Sequence, residues 1–148
     1  MKRVLAVGCA LALVAAASAG VASGGHQVRG GHYSGKLRTG NPAPPQITFD
    51  VSPDGARLLN LRITYPPLLC ALGGMTPPQQ PARAAKITAA GHFARTVRFS
   101  TKAGTFATIR VRGRFRAHRR VTGKARVRWI GGFEPGCGGT LRYAARAN

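Results

Sequence analysis

Acidic side chains are almost missing from this chain. Only Asp50, Asp54 and Glu134 stand against 23 Lys plus Arg, giving a formal net charge of +20 over 148 residues. Paired-carboxylate acid/base chemistry is reduced to Asp50 with Glu134, and nothing in their spacing supports such a pair. Asp54 sits in a Ser52-Pro53-Asp54-Gly55 turn, where its ordinary role is local backbone hydrogen bonding. Gly-x-Ser-x-Gly elbows, Walker loops and His-Glu-x-x-His helices are all absent. The sequence therefore reads as non-enzymatic, with no cofactor implied.

Long apolar runs are equally scarce, with one exception at the start. Lys2 and Arg3 precede the apolar residues 4–17, and Ala17-Ser18-Ala19 supplies a small-x-small cleavage pattern. This is the three-part layout of a secretory signal peptide, shorter than the roughly 20 residues that span a bilayer. Cys9 lies within the apolar run rather than after it, which argues against lipidation. Residues 1–19 are thus read as a signal peptide, 20–30 as a flexible Gly/Ser-rich lead and 31–148 as one β-domain. The expected site of action is outside the cytoplasm or at the cell envelope, without an integral membrane span in the mature form.

Export changes the meaning of the cysteines. Removal of the signal leaves Cys70 and Cys137, an even pair in an oxidising compartment, which reads as a disulfide. Closing so long a loop stabilises a fold by about 4 kcal/mol in the chain-entropy model. No His or carboxylate neighbours both cysteines in the way a zinc site requires, so no metal is expected there. One conditional metal site exists elsewhere. Cleavage after Ser23 would expose Gly24-Gly25-His26, an amino-terminal nitrogen set suited to Cu(II) or Ni(II), whereas cleavage after Ala19 abolishes it.

Helical periodicity is missing after the leader, and a period of two replaces it. Leu59, Leu61, Ile63 and Tyr65 alternate with polar residues, as do Ala107, Ile109, Val111 and Phe115. Val121, Ala125, Val127 and Trp129 follow the same rule, and so do Leu141, Tyr143 and Ala145. Residues 33–37, 46–51, 85–89 and 96–100 complete a set of about eight strands, each with one wet face. Turn signals at 52–55, 102–104 and 117–120 separate them. The expected fold is all-β, a single antiparallel sandwich or flattened barrel. Gly31-His32-Tyr33, Gly91-His92-Phe93 and Gly113-Arg114-Phe115 repeat a Gly-x-aromatic pattern, read as glycine at a bend beside a core aromatic.

Several short motifs resemble those of small exported all-β proteins of high-GC Gram-positive (actinobacterial) bacteria. They are Gly31-His32-Tyr33-Ser34-Gly35-Lys36-Leu37, Ile47-Thr48-Phe49-Asp50-Val51-Ser52-Pro53-Asp54-Gly55, and the closing Cys137-Gly138-Gly139-Thr140-Leu141-Arg142-Tyr143. The resemblance spans most of 31–146 and implies fold and export, without implying an activity. High arginine content and a proline-rich central loop set this chain apart.

Charge gives the functional lead. Arg110, Arg112, Arg114 and Arg116 share one face of a strand, while Lys124, Arg126 and Arg128 share a face of the next. If 117–121 closes the hairpin, Arg114 faces Lys124, Arg112 faces Arg126 and Arg110 faces Arg128. Like charges directly opposite are destabilising. An anionic surface polymer or other polyanion would relieve them. Two bland readings compete: a solvated face whose side chains splay in salt, and GC-rich coding, which favours Arg over Lys, here 18 to 5. A second functional reading makes the stapled Pro-rich loop 66–81 a protein-recognition or inhibitor surface. A third, a small extracytoplasmic hydrolase, needs Asp50 or Glu134 beside a histidine in a concave pocket.

Overall fold

The computed structural model describes residues 27–39, 44–64, 79–101, 104–130 and 138–148. The signal peptide, Cys9, His26, Cys70, Glu134, Cys137 and most of the loop 66–81 lie outside the described residues. Within them the protein is all-β. Its strands are β1 (His32–Leu37), β2 (Gln46–Val51), β3 (Arg57–Thr64), β4 (Ala85–Lys86), β5 (His92–Thr101), β6 (Gly104–Arg116), β7 (Arg120–Trp129) and β8 (Gly138–Ala147).

Every neighbouring pair is antiparallel, in the order β4-β3-β2-β1-β8-β7-β6-β5. Two four-strand meanders are joined where the first strand pairs the last. The result is a nearly closed barrel, not two stacked sheets. Among the described residues no helix is long and apolar enough to cross a membrane.

Closure is completed at one seam, where the two-residue β4 leaves β3 and β5 otherwise unjoined. Gln79 bridges the gap. Its main chain forms an isolated antiparallel bridge to Phe99 of β5. Its side-chain amide faces β3: Ile63 N–H donates to Gln79 Oε1 at 2.7 Å, and Gln79 Nε2 donates to Leu61 O at 2.7 Å. One primary amide thus satisfies the donor and acceptor that a further strand would have satisfied.

The interior is filled by the apolar half of each alternation, including Leu37, Ile47, Leu58, Ile109, Val121 and Val127. At its centre Tyr33 stacks on Phe49 with ring centroids 5.1 Å apart, and Phe115 meets both rings edge-on. Such pairs contribute about 0.5–1.5 kcal/mol each beyond their buried area. Phe93, Gly113, Gly123, Tyr143 and Leu37 form one inward row across five strands. A Cβ on Gly113 would lie 2.4 Å from Phe93 and from the Tyr143 hydroxyl, and one on Gly123 only 2.1 Å from the Arg112 carbonyl. The two glycines make room for both rings. Gly113 therefore sits mid-strand and not at the bend its motif suggested.

Three further differences from the sequence expectation have local causes. The phase of β3 slips at Asn60, a bulge residue with φ of 51°, so Leu58 and Leu61 are buried while Leu59 is only partly so. β5 begins at His92, earlier than expected, and β4 is shorter than 85–89. The end of the glycine-rich lead is docked: Val28 N–H donates to Tyr33 Oη, Gly30 N–H to Ser52 O, and Gln27 Nε2 to Gly55 O.

Candidate polyanion-binding face

The seven expected cations all lie exposed on adjacent strands, but two residues out of the expected register. The hairpin closes on Ala117-His118-Arg119, with Arg116 opposite Arg120. His118 and Arg119 both take φ of 58°, the left-handed conformation that so tight a reversal needs. Arg112 therefore faces Lys124 and Arg110 faces Arg126, while Arg114 meets Thr122 and Arg128 meets Thr108. Two of the three like-charge pairs survive with changed partners, and Arg116–Arg120 replaces the third.

β8 extends the face beyond the hairpin. Lys124 also faces Arg142, and Arg120 faces Arg146. Arg38 N–H donates to the Arg142 carbonyl from the far side of β8. Arg112, Lys124 and Arg142 thus form a cation row across three neighbouring strands, continued by Arg38 just past the end of β1. Arg142 and Arg146 were visible in the sequence as the wet half of the last strand. What assigns them to this face is the pairing of β7 with β8, a long-range contact that alternation does not encode.

The row crosses an open depression of about 810 Å³ lined by Lys86, Arg112, Arg114, Arg116, Lys124 and Arg142, among others. Gly113 and Gly123 line it too, so the glycine pair that seats the inner rings also lies beneath the outer cations. No described arginine or lysine has a carboxylate within salt-bridge distance; the one ion pair among the described residues is His32 with Asp50. Two like charges about 5 Å apart repel by roughly 0.8 kcal/mol in water and by a few kcal/mol at an effective dielectric of 20. Long side chains lower this by splaying. A bound anion lowers it further.

The remaining titratable residues fall elsewhere. His32 Nδ1 lies 2.6 Å from Asp50 Oδ1, with the side chains 53% and 33% exposed. Asn60 Nδ2 donates to the other carboxylate oxygen at 2.7 Å. Burial pushes the Asp50 carboxyl up, but the hydrogen bonds from Asn60 and His32 and the His32 charge outweigh it and hold Asp50 below its ordinary value of 3.8. The His–Asp contact asked of a hydrolase is present, yet among the described residues neither lines the groove beneath the cationic row nor the one along β5. Asp54 is also held low, by the Ser52 hydroxyl and the Ala56 N–H of its turn, as its Pro-Asp-Gly setting predicted. Among the described residues no three His, Cys, Asp or Glu side chains cluster as metal ligands.

Sequence reasoning missed one charged residue of note. Arg95 interrupts the inward series Phe93, Val97, Phe99, and its register partner is the fully buried Val111. Its Nε is sealed from solvent without a hydrogen-bond partner. The signal was a lone cation in phase with an apolar face.

No protein-family model, curated protein or solved structure matches the chain.

Proposed function

We propose that the protein is an exported, non-enzymatic β-barrel that binds anionic polymers of the cell surface or its surroundings through the outer face of β6, β7 and β8. The observation that carries this reading is the cationic band of Arg110, Arg112, Arg114, Arg116, Arg120, Lys124, Arg126, Arg128, Arg142 and Arg146, with no described carboxylate against it. Phosphate-rich wall polymer, acidic polysaccharide, anionic lipid and nucleic acid share the required charge. Among the described side chains no aromatic interleaves the cations, which favours electrostatic recognition over base-stacking.

The tripartite amino terminus supports export. The barrel's connectivity is consistent with a Cys70–Cys137 bond. From the strand registers, the chain leaves β3 at Thr64 and enters β8 at Gly138 at the same end of the barrel, so the segments bearing the two cysteines start from one end.

The test is retention on heparin and on duplex DNA across a salt series. An Arg112→Ser/Lys124→Ser/Arg142→Ser variant removes the central row; Arg29→Ser/Arg57→Ser/Arg62→Ser, three exposed cations off this face, is the charge control. Affinity for DNA should fall linearly on a log–log salt plot, and the row variant should lower the slope by about 3, one per lost phosphate contact. Equal losses in row variant and control would reduce the effect to net charge and overturn the assignment of this face.

A further inference from the structure

A second basic groove, of about 830 Å³, runs along the free edge of β5 where the segment 80–83 passes it. Its charged lining is Arg83, Arg95, Arg98 and Arg110. Gln80 N–H donates to the Arg98 carbonyl, which fixes the segment against the edge strand. Because the groove follows an edge, it gathers side chains of both registers. Arg98 and Arg110 belong to the outward rows beside Thr108 and Thr96, whereas Arg95 belongs to an inward row.

Arg83, Arg98 and Arg110 are exposed, whereas Arg95 is only partly so. Its Nε is buried with no partner, and neither described carboxylate lines the groove. A desolvated cationic donor left unpaired is costly, more so than a solvated one. An anion in the groove meets Arg95 through the part of the side chain that lines it, not through the sealed Nε. Two oxygens of a tetrahedral oxyanion fit the parallel donors of a guanidinium edge, and several arginines around one concavity suit a doubly charged group better than a single carboxylate. The Thr96 hydroxyl and the Gln80 amide add neutral donors at the rim.

We propose that this groove is a discrete binding site for a phosphate or sulfate group, anchored by Arg95 and surrounded by Arg83, Arg98 and Arg110. It shares only Arg110 with the polymer face, and because the row variant leaves Arg110 intact the two proposals fail separately. The ladder would hold a chain of charges loosely and in many registers. The groove would hold one group with 1:1 stoichiometry.

The experiment titrates the full secreted protein in 150 mM-range salt with two probes, followed by calorimetry and by amide chemical shifts. Inorganic pyrophosphate represents a free anion and a heparin tetrasaccharide the same chemistry carried on a polymer. The expected result is saturable 1:1 binding of at least one probe, identifying the source. Arg95→Lys should weaken it at least tenfold, since the charge remains but the guanidinium edge is lost. Arg83→Ser/Arg98→Ser, at exposed positions, gives the same reading should Arg95→Lys fold poorly. The Arg112→Ser/Lys124→Ser/Arg142→Ser variant should keep that binding while losing retention on DNA. The site is refuted by non-saturating binding of both probes, by wild-type affinity in both groove variants, or by equal loss in the ladder variant.

Discussion

Gln79 offers the sharpest test of how the barrel closes. Its amide accepts from Ile63 N–H and donates to Leu61 O, both at 2.7 Å, on residues whose side chains are almost wholly buried. Gln79→Ala deletes both bonds while leaving the main-chain bridge to Phe99 and the bond from Gln80 N–H to Arg98 O. An orphaned buried backbone group costs about 1–3 kcal/mol, and the partly exposed seam puts each near the lower end, for a total of about 2–4 kcal/mol. In a domain of this size that lowers Tm by roughly 8–15 °C. Gln79→Glu separates the two bonds. Its carboxylate still accepts from Ile63 but repels the Leu61 carbonyl, so the folded state prefers the neutral acid and raises its pKa. A raised pKa contributes stability that is present below the unfolded value, near 4.3 for Glu, and lost as pH rises through the folded value. The glutamate variant should therefore approach wild type in acid and fall away above it. Circular dichroism melts read the stability, and hydrogen exchange at the Ile63 amide reads the bond itself. A Tm within about 2 °C of wild type, with unchanged protection at Ile63, would show that the seam does not depend on this side chain.

Two further outcomes follow from the packing and the surface pair. Gly123→Ala places a methyl group 2.1 Å from the Arg112 carbonyl and 2.5 Å from the Tyr143 ring, so urea unfolding should register at least the roughly 1–3 kcal/mol typical of overpacking, whereas Gly104→Ala, with open space at its Cβ, should avoid that clash and lose only what its positive φ costs. Asp50 has a depressed pKa, so its share of stability is full above the ordinary 3.8 and is lost as pH falls through the lower folded value; Asp50→Asn should flatten that acid limb, and an unchanged limb would place the acid sensitivity elsewhere.

What could be read from the sequence was whatever a period of two encodes. The strands from 46 to 51 and 107 to 145 keep strict alternation, and they emerge with the expected faces. The reading failed where one residue broke phase for a physical reason. Asn60 adopts a left-handed bulge and shifts the inward series from Leu59 to Leu58, which no count of apolar positions reveals. Arg95 broke the pattern of β5 and hid its first half. The choice between sandwich and barrel rests on β1 pairing with β8 and on Gln79, a polar residue in a proline-rich segment whose side chain does a strand's work. The cationic face was legible as a hairpin only. Its register depended on two left-handed residues in the turn, and its third strand depended on topology.

The edge of β5 sharpens what an inward arginine does here. Unpaired edge strands invite pairing with other chains, and charged side chains at or beneath the edge suppress it. Arg95 and Arg98 fit that role, since the segment 79–80 covers the edge only as far as Phe99 and Arg98. Protection and anion binding place different demands on the same residue. Protection needs a charge near the edge and is indifferent to its shape, so lysine serves as well as arginine. Anion binding by the part of Arg95 that lines the groove needs the guanidinium fork, which lysine lacks. Arg95→Lys should therefore stay monomeric and still lose the bound oxyanion. Arg95→Leu, by contrast, should lose both functions and self-associate through the uncovered edge. If the lysine variant and the Arg83→Ser/Arg98→Ser variant both bind as wild type does while the leucine variant associates, the arginine guards the edge and nothing more.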